Sequence, residues 1–160
     1  MLVLAAAKPD MFRIERAAII AAPPERIFPL INDFRQWQSW SPFEKLDPAM
    51  TKTMSGPASG KGAVYEWKGN RKAGQGRMEI AEVSAPSKID IDLRFLKPFK
   101  AHNTAEFRLE PQGGATKVTW AMRGKSPFVA KIMRTLVDVD AMVGRDFEAG
   151  LANLKTIAEK

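Results

Sequence analysis

The chain contains no cysteine and a single histidine, His102, among its 160 residues. Without cysteine, disulfides and thiolate chemistry are excluded, although the compartment stays open. One histidine argues against a histidine-based zinc site and against a triad that pairs histidine with a cysteine nucleophile. The sequence also lacks a glycine-rich phosphate loop and a Gly-x-Ser-x-Gly nucleophile elbow. We therefore expect no metal and no cofactor.

Long apolar runs are also lacking. The N-terminal stretch Leu2–Ala7, which precedes Lys8, Pro9 and Asp10, is short. Six residues cannot span a bilayer, which requires about 20. The stretch is too short for the apolar region of a signal peptide and has no basic segment before it. Two interpretations stay open, a frayed end or the remnant of a longer membrane anchor. We assign residues 1–12 to this tail and residues 13–160 to a single domain.

The charge balance is strongly basic, with a formal net charge of +7 and a pI near 9.8. Such a balance can indicate nucleic-acid binding. Here, however, acidic and basic residues alternate along predicted strands, as in Lys88–Arg94 and Glu106–Glu110. The longest basic run is the pair Arg71–Lys72. The distribution therefore predicts no nucleic-acid partner.

Period-two alternation of apolar residues predicts seven strands. A short helix is expected from Pro23-Pro24 to Asn32-Asp33, since proline suits a first helical turn. Asp33 can cap a second short helix, Phe34–Trp40, and Phe43–Met50 is expected to be irregular. A long apolar-striped helix is predicted over Pro127–Ile157. The predicted strands are Arg13–Ala22, Lys52–Ser55, Gly62–Lys68, Gln75–Val83, Lys88–Leu96, Ala101–Glu110 and Thr116–Arg123.

One helix after a run of hairpins buries its stripe most efficiently in the hollow of a curved antiparallel sheet. We therefore predict an α+β fold, with the long helix facing Ile91, Phe107 and Trp120 and a cavity enclosed between helix and sheet. Gly144 and Gly150 lie in the helix stripe. They indicate either close helix–sheet approach or room for a ligand.

Alternation also predicts which side chains point into that cavity. Apolar walls with a few polar groups are typical of small-molecule sites, and methionine adapts to varied ligand shapes. Tyr65 and Asn103 are the polar inward positions and could orient a ligand, or they could satisfy nearby backbone groups. The predicted ligand-binding residues are Tyr65, Trp67, Met78, Ile91, Phe95, Asn103, Phe107, Trp120, Met122 and Met133.

Acid–base catalysis would need carboxyl, imidazole or phenol groups that face a substrate. Asp140 is a possible inward carboxylate on the long helix, and Glu44 can cap or pair locally. His102 has outward parity and is expected to be dispensable. These groups are few, so we predict no catalytic residue.

Three parts of the sequence resemble a known family. Ala22–Phe28, followed by Asn32-Asp33-Phe34 and Trp37–Trp40, is similar to the opening of the START-like (SRPBCC) superfamily. Trp40–Phe43, His102–Phe107 and Asp146–Leu154 resemble its polyketide cyclase/dehydrase-like branch. The resemblance covers about Arg13–Ile157 and implies a helix-grip fold.

The resemblance does not fix one activity, because relatives include lipid carriers, hormone receptors, quinone-binding proteins, cyclases and co-chaperones. We expect binding or carriage of a small hydrophobic ligand such as a lipid, a quinone or a polyketide-like molecule. The alternatives are a cyclase or dehydratase using Tyr65, Asn103 or Asp140, and a membrane- or protein-interaction module. A cytoplasmic and a membrane-associated location both stay open.

Topology predicts a basic end of the domain. In an antiparallel meander, the turns Gly69–Gly74 and Lys97–Lys100 and the strand exit Arg123–Phe128 meet at one end, where the cavity mouth is expected. An anionic membrane surface or an acidic ligand end would be attracted there; the alternative is a solvated surface. The residues concerned are Arg71, Lys72, Lys97, Phe99, Lys100, Arg123, Lys125, Phe128, Lys131 and Arg134.

Overall fold

The computed structural model describes residues 11–97, 100–125 and 139–160. The first α-helix is Pro24–Asn32, and two 3₁₀ helices follow at Phe34–Ser39 and Pro42–Lys45. The C-terminal α-helix is Val139–Ala158. The strands are β1 Met11–Ile20, β2 Thr51–Ser55, β3 Val64–Lys68, β4 Gln75–Ser84, β5 Lys88–Lys97, β6 Ala101–Gln112 and β7 Ala115–Lys125.

The strands form one antiparallel sheet in the order β1-β7-β6-β5-β4-β3-β2. The predicted seven-stranded α+β fold is confirmed. Strand β3 begins two residues later than predicted because Gly62 has a φ of +94°, which an extended strand does not use. A β-bulge between Ile80 and Glu82 keeps Val83 opposite Ile89, so the apolar face of β4 is preserved across the irregularity.

The C-terminal helix lies on the inner face of the sheet, mainly against β1. Its buried side chains Phe147, Leu151 and Leu154 follow the predicted stripe. The ring of Phe147 stacks on that of Trp120 with centroids 4.1 Å apart. The predicted contact with Trp120 is therefore present, while residues 127–138 of the predicted helix lie outside the described residues.

The two 3₁₀ helices cover the middle of the sheet. Asp33 accepts a hydrogen bond from the backbone N–H of Arg35, so it caps the first of them as predicted. Trp37 and Trp40 pack edge-on against Phe107, with centroids 5.8 and 6.0 Å away. Phe107 is thus covered by these tryptophans, a layer that strand periodicity alone could not predict.

The two helix glycines mark close approach. A Cβ atom at Gly150 would lie 2.8 Å from Trp120 and 3.2 Å from Pro42. At Gly144 it would lie 2.2 Å from the guanidinium of Arg16. Each glycine therefore lets the helix approach a neighbouring side chain, and the space beside it is filled.

No helix within residues 11–97, 100–125 and 139–160 is long and apolar enough to cross a membrane. The stretch Leu2–Ala7, considered above as an anchor remnant, lies outside the described residues.

Candidate ligand cavity

A cavity of about 260 Å³ lies between the inner face of the sheet, the second 3₁₀ helix and the C-terminal helix. Most of its wall is aromatic or aliphatic. Phe43 and Leu46 close one side, and Val143 and Phe147 of the C-terminal helix contribute another. Among the described residues, the polar ones in its lining are Ser41, Glu44, Tyr65 and Lys72.

Six of the ten residues predicted to bind a ligand line this cavity. They come from β3, β4, β5 and β7, and period-two parity places all of them on the inner face. They are Tyr65, Trp67, Met78, Phe95, Trp120 and Met122. Their role in binding stays a prediction.

Three other predicted residues are placed outside the cavity wall. Ile91 is fully buried in the sheet core between Ile80 and Ala105. Phe107 is buried beneath Trp37 and Trp40.

Asn103 is also buried, and it does not line the cavity. Its oxygen fills the space beside Gly124, where a Cβ atom would lie only 2.2 Å from it. Its amide nitrogen lies 3.9 Å from the sulfur of Met122. Asn103 therefore packs between strands. The tenth predicted residue, Met133, and the side chain of Asp140 lie outside what the structure describes.

The polar end of the cavity is built around Glu44. The hydroxyl of Tyr65 donates a hydrogen bond of 2.5 Å to Oε2 of Glu44. The ammonium of Lys52 contacts Oε1 at 3.1 Å. The Glu44 side chain is only 8% exposed. Burial, followed by the hydrogen bond to Glu44, raises the pKa of Tyr65 far above its usual range, so the phenol stays protonated.

Ser41, another residue of the cavity lining, carries an unsatisfied hydroxyl. The residue is 2% exposed, and its Oγ has no hydrogen-bond partner among the described residues. It precedes the second 3₁₀ helix, and its carbonyl accepts the N–H of Glu44 at 3.2 Å. Ser41 and Glu44 are thus held on one turn, and both line the cavity.

The cavity also reaches the basic end of the domain, at the turn between β3 and β4. Lys72, which lines the cavity, is exposed in the turn between β3 and β4. Register places this turn beside Lys97, because Gln75 is opposite Lys97. Asp47 also lies here and accepts the N–H of Asn70 at 2.8 Å. This end of the domain is therefore basic, although the carboxylate of Asp47 is hydrogen-bonded to the backbone of the turn.

Much of the irregular wall was not predicted from the sequence, including Ser41, Phe43, Leu46 and Met50, whereas Lys72 was expected at the cavity mouth. A signal was present in Trp40-Ser41-Pro42-Phe43-Glu44, where serine before proline ends one short helix and begins another. Nothing in that pattern specifies which side chains point inward, because a short 3₁₀ segment has no long periodicity.

His102 lies on the outer face, where its ring contacts Asp92. Burial would raise the pKa of Asp92, but hydrogen bonds from His102 and Arg94 outweigh it and lower that pKa. Across residues 11–97, 100–125 and 139–160, no group of three or more histidines, aspartates and glutamates could hold a metal ion.

Comparison with known proteins places this geometry in context. A family model described as polyketide cyclase/dehydrase and lipid transport matches residues 11–159. No curated protein matches the chain.

Solved structures with the same architecture are distant in sequence. Aha1 from Colwellia psychrerythraea, solved as a dimer, is 17% identical with a TM-score of 0.65, covering 92% of this chain and 96% of that one. Ms6760 from Mycobacterium smegmatis is 20% identical with a TM-score of 0.63, covering 91% and 89%. CalU16 from Micromonospora echinospora is 15% identical with a TM-score of 0.60, covering 92% and 84%. At these identities the likeness shows the fold alone.

Proposed function

The chain belongs to the polyketide cyclase/dehydrase and lipid transport family, and on this premise we propose that it binds and carries a small hydrophobic molecule in its internal cavity. The observation that carries the proposal is a preformed cavity of about 260 Å³ with a mostly apolar wall. Removing apolar ligand surface from water contributes about 25 cal/mol per Å². A ligand that entered would gain affinity without reorganising a packed core.

The cavity volume favours compact ligands. The volume is about 260 Å³. A bicyclic aromatic molecule is of this order, whereas a long-chain lipid would have to extend through the mouth near Lys72. Aromatic edges of Trp37, Trp67 and Trp120 border the space and suit a flat apolar ring.

A matched pair of helix substitutions tests the proposal. Val143 lines the cavity, whereas its neighbour Met142 is 55% exposed. Val143→Trp should fill the cavity and weaken binding of the neutral fluorescent probe N-phenyl-1-naphthylamine at least tenfold. Met142→Trp adds the same ring outside and should leave binding unchanged. Urea unfolding of both variants verifies that they remain folded.

The proposal fails if the parent protein does not bind the probe. It also fails if the Val143 and Met142 variants bind the probe equally, because binding would then occur elsewhere on the surface.

A second candidate function is catalysis of the cyclase or dehydratase type, favoured by the hydrogen-bonded pair of Tyr65 and Glu44 at the cavity wall. A phenol and a carboxylate can act as acid and base on a bound substrate. Turnover of a polyketide-like substrate that falls at least a hundredfold in Glu44→Gln, while binding persists, would support this function over carriage.

A further inference from the structure

Among the residues that the structure describes, the polar end of the cavity has more hydrogen-bond acceptors than donors. Tyr65 uses its one O–H on Glu44, and Lys52 is directed at the other oxygen of the same carboxylate. The carboxylate and phenol oxygens retain lone pairs that can accept further hydrogen bonds. The hydroxyl of Ser41 has no partner among the described residues and can both donate and accept.

From this inventory we infer that the ligand carries a neutral hydroxyl group, as an alcohol or a phenol, on an apolar body, and that this hydroxyl lies at Ser41, Glu44 and Tyr65. The inference rests on the proposed function and specifies its ligand class. A ligand hydroxyl can donate to the phenol or carboxylate oxygen and accept from Ser41. A buried hydroxyl left without a partner is costly, so satisfying Ser41 favours such a ligand.

Charged ligands fit this end less well. A ligand carboxylate can only accept hydrogen bonds, so it cannot donate to the lone pairs of Glu44 and Tyr65, and the charge of Lys52 is already paired with Glu44 at 3.1 Å. A ligand ammonium would gain little from Glu44, because Lys52 already contacts that carboxylate at 3.1 Å. The arrangement therefore discriminates by charge and by hydrogen-bonding capacity.

Three probes with the same ring system test the inference by isothermal titration calorimetry at pH 7. They are 2-naphthol, 2-methylnaphthalene and 2-naphthoate. We expect 2-naphthol to bind about tenfold more tightly than 2-methylnaphthalene, since one donated and one accepted hydrogen bond of modest net strength together give about one decade. We expect 2-naphthoate to bind most weakly.

Variants identify the groups responsible. Ser41→Ala should reduce the preference for 2-naphthol over 2-methylnaphthalene to about threefold or less. Ser39→Ala is the matched control, because the Ser39 hydroxyl is exposed and bound to the Gln36 carbonyl at 2.6 Å. It should keep the full preference. Glu44→Gln should strengthen binding of 2-naphthoate about tenfold, because the charge of Lys52 is then no longer paired with Glu44.

Some outcomes overturn the inference while sparing the proposed function. If all three probes bind with similar affinity, the cavity binds apolar ligands without selecting a hydroxyl. If 2-naphthoate binds most tightly and Lys72→Ala weakens it while Glu44→Gln does not, the polar group lies at the basic mouth instead. If no probe binds, the inference and the proposed function both fail.

Discussion

The hydroxyl of Tyr65 on β3 donates a 2.5 Å hydrogen bond to Glu44 in the second 3₁₀ helix, across the wall of the cavity. The two residues are 21 positions apart in the chain, and the contact joins the irregular cover to the sheet. Because Tyr65 is the only tyrosine in the sequence, its ionisation can be followed in the intact protein.

The first prediction concerns the protonation of Tyr65. Burial is the larger cause of its raised pKa and the hydrogen bond to Glu44 the next. Ultraviolet titration of the phenol should therefore show no phenolate until the protein unfolds at alkaline pH. Tyr65 has a higher pKa in the folded protein than in the unfolded chain, where it is 10.0. The resulting contribution to stability is fully present below pH 10.0 and is lost as the pH rises above that value.

The variant Glu44→Gln separates the two causes. It should lower the pKa of Tyr65 only in part, because the burial remains, so phenolate appears at a lower pH than in the parent. Tyr65→Phe should abolish the signal and cost about 1–2 kcal/mol in urea unfolding at pH 7. Ionisation of the parent phenol near pH 10 with the fold intact would contradict the prediction.

The second prediction is that Gly150→Ala destabilises the protein although alanine is the better helix former. Helix propensity favours alanine by about 1 kcal/mol. The added methyl group would lie 2.8 Å from Trp120. That ring cannot easily move, since it is stacked on Phe147 at 4.1 Å and on Phe107 at 5.0 Å. We expect a net loss of about 1–2 kcal/mol in the free energy of unfolding.

Gly114→Ala is the control, because no atom lies within 4 Å of a Cβ atom at that position. It should change stability by less than about 0.5 kcal/mol. A stabilised Gly150→Ala variant would mean that Trp120 yields and that the close helix–sheet approach imposes no constraint.

These contacts show why the sheet was more predictable than its cover. Side chains on a strand alternate between two faces, so parity alone placed Tyr65 and Trp120 on the inner face. Parity says nothing about what lies above them. Phe107 has the same inward parity but is covered by Trp37 and Trp40, so it cannot border the cavity.

The polar end of the cavity was less predictable for a related reason. Ser41 and Glu44 lie around a 3₁₀ helix of four residues, too short for a periodic pattern. Their orientation depends on tertiary contacts, including the ion pair of Lys52 with Glu44. Asn103 shows the converse, because its inward parity was correct but its amide packs between Gly124 and Met122 and does not line the cavity.

The third prediction concerns Glu106 on the outer face of the sheet. Its carboxylate is only 6% exposed and contacts Arg108 at 2.7 Å, Arg123 at 3.1 Å and Lys88 at 3.7 Å. Burial would raise the pKa of Glu106, but the hydrogen bond from Arg108 and the nearby cations outweigh it and lower that pKa. Glu106→Gln should cost about 1–2 kcal/mol at pH 7.

The pH dependence gives the sign of this effect. Glu106 has a lower pKa in the folded protein than in the unfolded chain, where it is 4.5. Its contribution to stability is fully present above pH 4.5 and disappears as the pH falls through the pKa of the folded state. The stability difference between parent and Glu106→Gln should therefore shrink below pH 4.5. Glu79→Gln is the control, since that more exposed carboxylate contacts only Arg77 among the described cations. If the stability difference between the parent and Glu106→Gln stays constant down to acidic pH, the substitution acts through changed packing and not through the lost charge.

The last prediction concerns the basic end, which we propose meets anionic membrane surfaces. Register brings the turn carrying Lys72 beside Lys97, close to the cavity mouth. Each cation near an anionic membrane contributes about 1 kcal/mol. At low salt the protein should float with vesicles containing phosphatidylserine and not with neutral phosphatidylcholine vesicles. Lys72→Glu combined with Lys97→Glu should reduce binding at least tenfold.

The control for this prediction must change the net charge equally at the other end. Lys61 precedes β3 and forms an ion pair with Glu82, near the end of β4. Lys160 follows Glu159, and the carboxylate of Glu159 accepts a hydrogen bond from the backbone N–H of Ala21, just after β1. Both therefore lie at the end opposite Lys72. When the two double variants are compared at 0.1 M salt, Lys61→Glu combined with Lys160→Glu should reduce flotation much less, because screening then limits charge effects to about 10 Å. If the two double variants lose flotation equally, net charge acts without a defined surface. If the parent protein floats equally with neutral and anionic vesicles, charge plays no part.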